Sequence, residues 1–344
     1  MELDARKLKV LQAVIEAYIH TGEPIGSKAL CELLDVSVSS ATIRNEMASL
    51  SELGLLEQPH TSAGRIPSQL GYRLYINELM RPKPLSEEEM RYIDGYLSEY
   101  ADDPDLLLEK AAEMLAGMTK YAAVSTTPTN RDAVIKQIQL LQTGAHTAML
   151  VLTTSTGAVK GKLFRADYRL NSDILRMFTK VLNEKMDDIH LLNVTPDFIK
   201  STAFSIGELS LMMAPAFVAL GQACREILKT NVLLEGQTNL LYLSEYEVDS
   251  VKRLLHFLEQ RSELAKLIGA QKEKVGVFIG GESNHPEMID TSVVLARYSM
   301  GKSARGTLGV IGPTRMDYPK IVSNLQYLAQ SVGSMLGEIM DVGV

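Results

Sequence analysis

Positive charge is in short supply. The 344-residue chain carries 35 Lys and Arg against 42 Asp and Glu, a formal net charge of −7. That balance excludes a general nucleic-acid coat, which needs a broad basic footprint. Residues 1–81 are no richer: Arg6, Lys7, Lys9, Lys28, Arg44, Arg65, Arg73 and Arg81, eight in all, stand against ten acids. Binding to DNA therefore has to come from a local basic face, with weak and salt-sensitive non-specific affinity.

Cysteine is scarce as well. Cys31 and Cys224 lie far apart and form neither a disulfide framework nor a redox or metal spacing. Cys31 falls on the apolar side of a predicted helix and is expected to be a plain buried thiol. The six histidines (His20, His60, His146, His190, His256, His285) are scattered without ligand spacing, so no metal or other cofactor is expected. No uncharged apolar run reaches ~18 residues, which argues against a membrane span. Met1-Glu2-Leu3-Asp4 opens with acids and lacks a secretory pattern. A reducing cytoplasm fits. Repeats and low-complexity tracts are missing, and the length suggests two or three domains at roughly 100–200 residues each.

Signals for catalysis are incomplete. Gly301-Lys302-Ser303 resembles the end of a phosphate-binding loop, but Ala296 stands where the pattern needs glycine. Gly280-Gly281-Glu282-Ser283 lacks the following glycine and the paired base of a nucleophile elbow. The chain is not expected to be an enzyme. Leu209-Ser210-Leu211-Met212-Met213-Ala214-Pro215 reads as core packing ahead of a proline break, with a partner surface as the other possibility.

What is present is a run of amphipathic helices. Leu8, Leu11, Ile15 and Tyr18 recur at helical spacing and stop at Gly22 and Pro24. Ser27 opens a short helix with Ala29, Leu30, Leu33 and Leu34 inward, and Ser39 caps a third with Ile43, Met47, Leu50 and Leu53 inward. Gly54 ends it in the usual left-handed position. Leu55–Gln58 and Arg65-Ile66 then read as a β-ribbon around the loop 59–64. A fourth helix packs Tyr72, Tyr75, Ile76 and Leu79. Three helices followed by a ribbon make a winged helix-turn-helix.

Arg81-Pro82-Lys83-Pro84 is a stiff linker, expected to couple the N-terminal head only weakly to the rest of the chain. Ser86 and Glu89 form a capping box, and a further helix spans about 105–121. Strands are expected at 135–142, 147–153 and 159–165. Residues 171–268 read mainly as helices, with one strand near 239–243. Strands resume at 274–279, 291–299 and 306–311, and a closing helix buries Ile321, Leu325, Leu328 and Leu336. This is an α+β domain carrying an insertion.

The third helix carries the function. Its apolar residues pin it inward and leave Ser40, Thr42, Arg44 and Asn45 on the early outward face. The start of such a helix reaches base edges in the major groove. Arginine grips guanine O6 and N7 with two hydrogen bonds, and asparagine does the same to adenine N6 and N7. Ser39 at the helix start suits phosphate. His60, Thr61, Ser62 and Arg65 on the wing suit phosphates or the minor groove. The expected partner is double-stranded DNA.

Three stretches go beyond pattern: Ser39 through Leu56, Pro59 through Pro67, and Gly306 through Tyr318. In these the chain resembles, over essentially its full length, the bacterial heat-inducible transcription repressor family (HrcA). The resemblance implies a multidomain α+β protein: a winged helix at 1–81, a linker and connecting helix at 82–104, a discontinuous GAF-like domain at 105–170 and 269–344, and a mostly helical dimerising insertion at 171–268. It also implies a homodimeric repressor on an inverted repeat, the CIRCE element, upstream of chaperone operons, relieved on heat shock and modulated by the chaperonin. The competing reading is a metabolite-responsive regulator with a ligand in the GAF-like domain.

Overall fold

The computed structural model describes residues 3–34, 39–60, 63–128, 132–300 and 304–339. Helix α1 (Ala5–Thr21) begins at Asp4, whose carboxylate accepts from the Arg6 and Lys7 amides, and closes at Gly22 with φ 72°. Helices α2 (Ser27–Leu34) and α3 (Ser40–Glu52) come next. Strands β1 (Leu56–Glu57) and β2 (Ile66–Pro67) pair antiparallel as the ribbon. Helix α4 (Gln69–Leu74) is capped by Ser68 and runs into one π-helical turn, Tyr75–Leu79. Leu11, Ile15, Leu30, Ile43, Leu50, Leu56 and Tyr75 form the buried centre of this head.

Helix α2 corrects the sequence expectation. Leu30 is buried, but Ala29 and Leu33 are exposed and Cys31 is only partly covered. Leu33 and Leu34 line an open groove beside Lys9, Ala13 and Ala17. The burial of α2 rests on Leu30.

Helix α5 (Glu87–Ser98) carries the Ser86–Glu89 capping box, and α6 (Pro104–Thr119) leads into strand β3 (Ala122–Thr126). Every residue of β3 is buried. Buried on both faces, it lacks the alternation that would have announced it in the sequence. Strands β4 (Ile135–Gln142), β5 (Thr147–Thr154) and β6 (Val159–Arg165) then form a separate antiparallel sheet. Against it pack α7 (Ser172–Met186) and α9 (Leu209–Leu228), with α8 (Pro196–Ser205) on α9. Ile138, Leu150, Leu152, Phe178, Leu182, Phe217 and Leu220 share one core.

The insertion boundary therefore moves. The compact unit is built on Thr126–Asn231, so the strands at 135–165 belong with the helices and not with a GAF-like sheet. Shared hydrophobic burial draws the boundary, whereas a change from strand to helix had suggested position 171. Residues 232–268 likewise return to the first unit.

There, strand β7 (Val232–Glu235) precedes α10 (Val248–Glu259) and α11 (Arg261–Ala270). The strand expected near 239–243 is a 3-10 segment, Gln237–Tyr242. Gly236, at φ 65°, turns the chain, and the Asn239 amide donates to the Tyr121 carbonyl at 3.1 Å, holding the tight turn. Strands β8 (Val275–Ile279), β9 (Thr291–Met300) and β10 (Ala304–Pro313) complete a sheet of order β7-β3-β10-β9-β8, and α12 (Tyr318–Ile339) closes the described chain. Leu254, Phe257, Leu264 and Leu267 pack on Val124, Val293 and Leu295 of this sheet. Ser125, on the alternate face of β3, donates to the Leu108 carbonyl of α6 at 3.0 Å.

Two further expectations change. Pro215 does not break α9, which runs through it; Met213 is buried while Leu211 and Met212 are exposed. A proline in a helix removes one N–H bond but does not forbid continuation where packing on both sides holds the turns. Among the described residues α9 alone is long and apolar enough to cross a membrane, yet Met213, Phe217, Leu220 and Cys224 are committed to the insertion core. Burial there pushes the Cys224 thiol up to about 12.

The head is also not loosely hung. The Lys83 amide in the linker donates to the Pro319 carbonyl at 3.3 Å. Arg73 of α4 forms an ion pair with Glu282, and Arg315 donates to the Ile19 carbonyl of α1 at 2.7 Å. Two prolines stiffen a linker, but side chains distant in sequence decide whether the domains it joins stay in contact.

Candidate nucleic-acid interface

Helix α3 is built to show one face. Ser39 Oγ accepts from the Thr42 amide at 3.2 Å, which satisfies one of the unpaired donors of the first turn. Ile43, Met47 and Leu50 are buried, so the helix cannot rotate about its axis without exposing them. What remains outward is Ser40, Arg44 and Asn45, all exposed. Thr42 is half-buried, with its hydroxyl 3.0 Å from that of Ser39. Ser39 caps the helix as the sequence indicated, while Thr42, placed by the sequence among the outward residues, turns its hydroxyl to the cap.

The wing is tied down at its root. Ile25 and Arg65 exchange backbone hydrogen bonds, both at 2.9 Å. This bridge requires Gly64: a Cβ there would stand 2.4 Å from the Ile25 carbonyl, which no packing accommodates. Gln58 donates to the Ala63 carbonyl at 3.1 Å, and the Ala63 amide to the His60 carbonyl at 2.9 Å. His60 is exposed at this turn. Thr61 and Ser62, also expected at the wing, lie outside the described residues.

Between α3 and the wing root lies an open cleft lined by Arg44, Met47, Gln58, Arg65 and the backbone of Gly26 and Gly64. Two arginines are among its lining residues. Arg65 Nε is buried and has no hydrogen-bond partner among the described residues. An unpartnered cationic donor is costly and favours an anionic or acceptor-rich occupant. The sequence did not single out Gln58 or the Ile25 bridge, because neither can be read from periodicity.

The remaining basic residues sort by their partners. Lys7 pairs with Glu46 at 3.2 Å and with Asp4 at 3.1 Å, and Arg73 pairs with Glu282. Burial disfavours the ionised Glu282 carboxylate, but hydrogen bonds from Arg73 and the Ile279 amide outweigh it and hold the carboxyl below its usual range. Lys7 and Arg73 are thus engaged with carboxylates, while Lys28 and Arg44 are left on the surface.

The rejected signals have ordinary structures. Ser283 Oγ donates to the Gly280 carbonyl at 3.0 Å, a turn contact, and the His285 ring packs on Phe257 at 4.6 Å. Gly301-Lys302-Ser303 lies outside the described residues. Among the described residues no three His, Cys, Asp or Glu side chains gather as a metal site.

Comparison with known proteins agrees with this geometry. The winged helix-turn-helix transcription repressor family, HrcA DNA-binding, matches residues 2–79, and the HrcA protein C-terminal domain matches residues 105–322. The chain belongs to the HrcA family. The heat-inducible transcription repressor HrcA of Ruminiclostridium cellulolyticum is 34% identical across 100% of both chains. That of Lachnoclostridium phytofermentans is 36% identical over 95% of this chain and 96% of its own. The crystal structure of a hypothetical protein superposes with TM-score 0.60 at 24% identity, covering 98% of this chain and 100% of its own, which shows the shared fold. The HrcA DNA-binding match ends at Leu79, where the π-helical turn ends and the linker begins.

Proposed function

We propose that this HrcA chain represses transcription by holding an inverted-repeat operator, the CIRCE element, as a homodimer. The observation that carries the proposal is the outward face of α3, with Ser40, Arg44 and Asn45 exposed above a fully buried apolar row. Arg44 and Asn45 read base edges. Ser39, Ser40, Thr42 and the wing residues His60, Thr61, Ser62 and Arg65 hold backbone, and the α3–wing cleft receives a phosphate or a base edge between Arg44 and Arg65. One winged helix spans few base pairs, so two are needed, and protein symmetry matches operator symmetry.

The dimer contact is assigned to the insertion, now 126–231. It leaves Phe204 91% and Leu211 81% exposed, an unusual cost for a monomer surface. Heat acts on the population of this dimer. Stability is a small difference between large terms, so modest warming shifts the competent fraction several-fold. A chaperonin that refolds the chain couples repression to spare chaperone capacity by mass action. The setting is the cytoplasm.

Footprinting on genomic fragments tests the DNA reading: two protected half-sites related by a dyad are expected, and a single unsymmetrical footprint would overturn the dimeric reading. Operator affinity of the pure protein, followed against temperature with and without chaperonin, tests the heat mechanism. Constant affinity and dimer content across the heat-shock range, with no chaperonin effect, would remove that mechanism and leave DNA binding intact.

A further inference from the structure

We infer that Arg315 and Arg73 are positioning residues that set the angle at which the head presents α3, and so set the half-site spacing that the protein accepts. The inference rests on the inverted-repeat reading above.

Gly306 through Tyr318 is one of the most distinctive stretches of the chain, yet it contributes nothing to the face of α3. Its end reaches the head instead. Arg315 Nη1 donates to the Ile19 carbonyl at 2.7 Å, and Nη2 pairs with Glu245. Ile19 lies in the last turn of α1, where carbonyls lack helical partners and the helix dipole favours a cation. The head meets this guanidinium with Gly22, where a Cβ would stand 3.2 Å from Arg315 Cζ. Gly22 has φ 72°, a conformation that favours glycine, and it leaves the guanidinium room against the head.

A second arm runs the other way. Arg73, on the head, donates through Nε to Glu282 at 2.9 Å and through Nη2 to the Val277 carbonyl at 2.7 Å. Beside it the Tyr72 ring rests on Tyr318 with centroids 5.8 Å apart. Tyr318 is itself held by its hydroxyl, which donates to the Thr314 carbonyl at 2.6 Å and lies 2.8 Å from Ser292 Oγ. So Arg315 reaches from body to head, Arg73 reaches from head to body, and an aromatic contact joins them.

This latch acts on α3 through packing. α1 packs directly on α3, and Leu11, Ile15, Ile43 and Leu50 are all buried in the head. Close-packed side chains transmit a rotation of α1 to α3 with little loss. Both arginines use several guanidinium donors at once, which lysine cannot reproduce from a single ammonium. Both are also occupied by carboxylates, so they add nothing to the charge that faces DNA.

The test uses the full-length protein and synthetic operators with the natural half-site separation or with one, two or five base pairs added. Five pairs turn the second half-site by about half a helical turn. Wild type should discriminate sharply. Arg315→Lys and Arg73→Met, with dimer content unchanged, should bind the natural spacing about tenfold more weakly, because the head must now be ordered on binding, and should lose most of the discrimination. Glu245→Gln keeps an acceptor for Arg315 and should fall between; together with Glu282→Gln it keeps the test open if an arginine variant does not fold. Wild-type spacing ratios in folded latch variants would overturn the inference while leaving the operator reading intact. A wild type indifferent to spacing would overturn the inverted-repeat reading, and this inference with it.

Discussion

Helices α3 and α9 solve the same packing problem and differ in what they turn outward. Both commit an apolar row to a core: Ile43, Met47 and Leu50 in the head, Met213, Phe217 and Leu220 in the insertion. Outside that row α3 shows Ser40, Arg44 and Asn45, whereas α9 shows Leu211, Ala214 and Val218. A polar, hydrogen-bonding face suits base edges and phosphates. An apolar face cannot make the phosphate hydrogen bonds that position a protein on a duplex and gains more from another protein surface. Buried row and outward row carry separate information, and it is in the outward rows that the two helices differ chemically.

The comparison breaks most visibly where Phe204 of α8 and Leu211 of α9 are exposed. Phe204→Asp with Leu211→Asp should abolish the dimer in sedimentation and lower operator affinity by two orders of magnitude or more, at about 2 kcal/mol for each anchor lost. A double variant that stays dimeric and binds normally would place self-association elsewhere. At α3, Arg44→Ala should cost about 1–3 kcal/mol and relax specificity at one position in each half-site. Unchanged discrimination in a competition assay with single-base operator variants would detach Arg44 from base reading. Arg65→Ala should weaken all sequences alike and flatten the salt dependence by about one phosphate; a sequence-selective loss would instead move Arg65 among the base contacts.

The smallest effect concerns buried polar groups. Tyr72 Oη, Arg65 Nε and Gln237 Oε1 are buried without partners, and all three belong to the head-and-body unit; none lies in the insertion, among the described residues. Tyr72→Phe should therefore stabilise the protein by about 1 kcal/mol and raise its thermal midpoint by about 2–4 °C in calorimetry. A lower midpoint would mean that the hydroxyl finds a partner in solution.

Much of this was legible in the residues. Ser39, Gly54 and the Ser86–Glu89 box mark helix ends through local chemistry, and they do so in the structure. Strands β4 and β6 fall where expected. Strand β3 was missed because burial on both faces erases alternation, and the 239–243 strand was misread because the turn depends on Asn239 bonding to residues more than a hundred positions away. On α3, periodicity placed Arg44 and Asn45 outward, where they are exposed, while the engagement of the Thr42 hydroxyl with the Ser39 cap needed coordinates.

By itself, then, the sequence determined the helices and ribbon of the winged-helix head and the outward face of α3, because caps, turns and helical spacing act over a few residues. Only the tertiary structure decided where the insertion begins, that Leu33 of α2 is left uncovered, and that the head is held to the body through Arg73 and Arg315. Those outcomes depend on which distant surfaces meet, and a partner such as Glu282, 209 positions from Arg73, leaves no local trace in the chain.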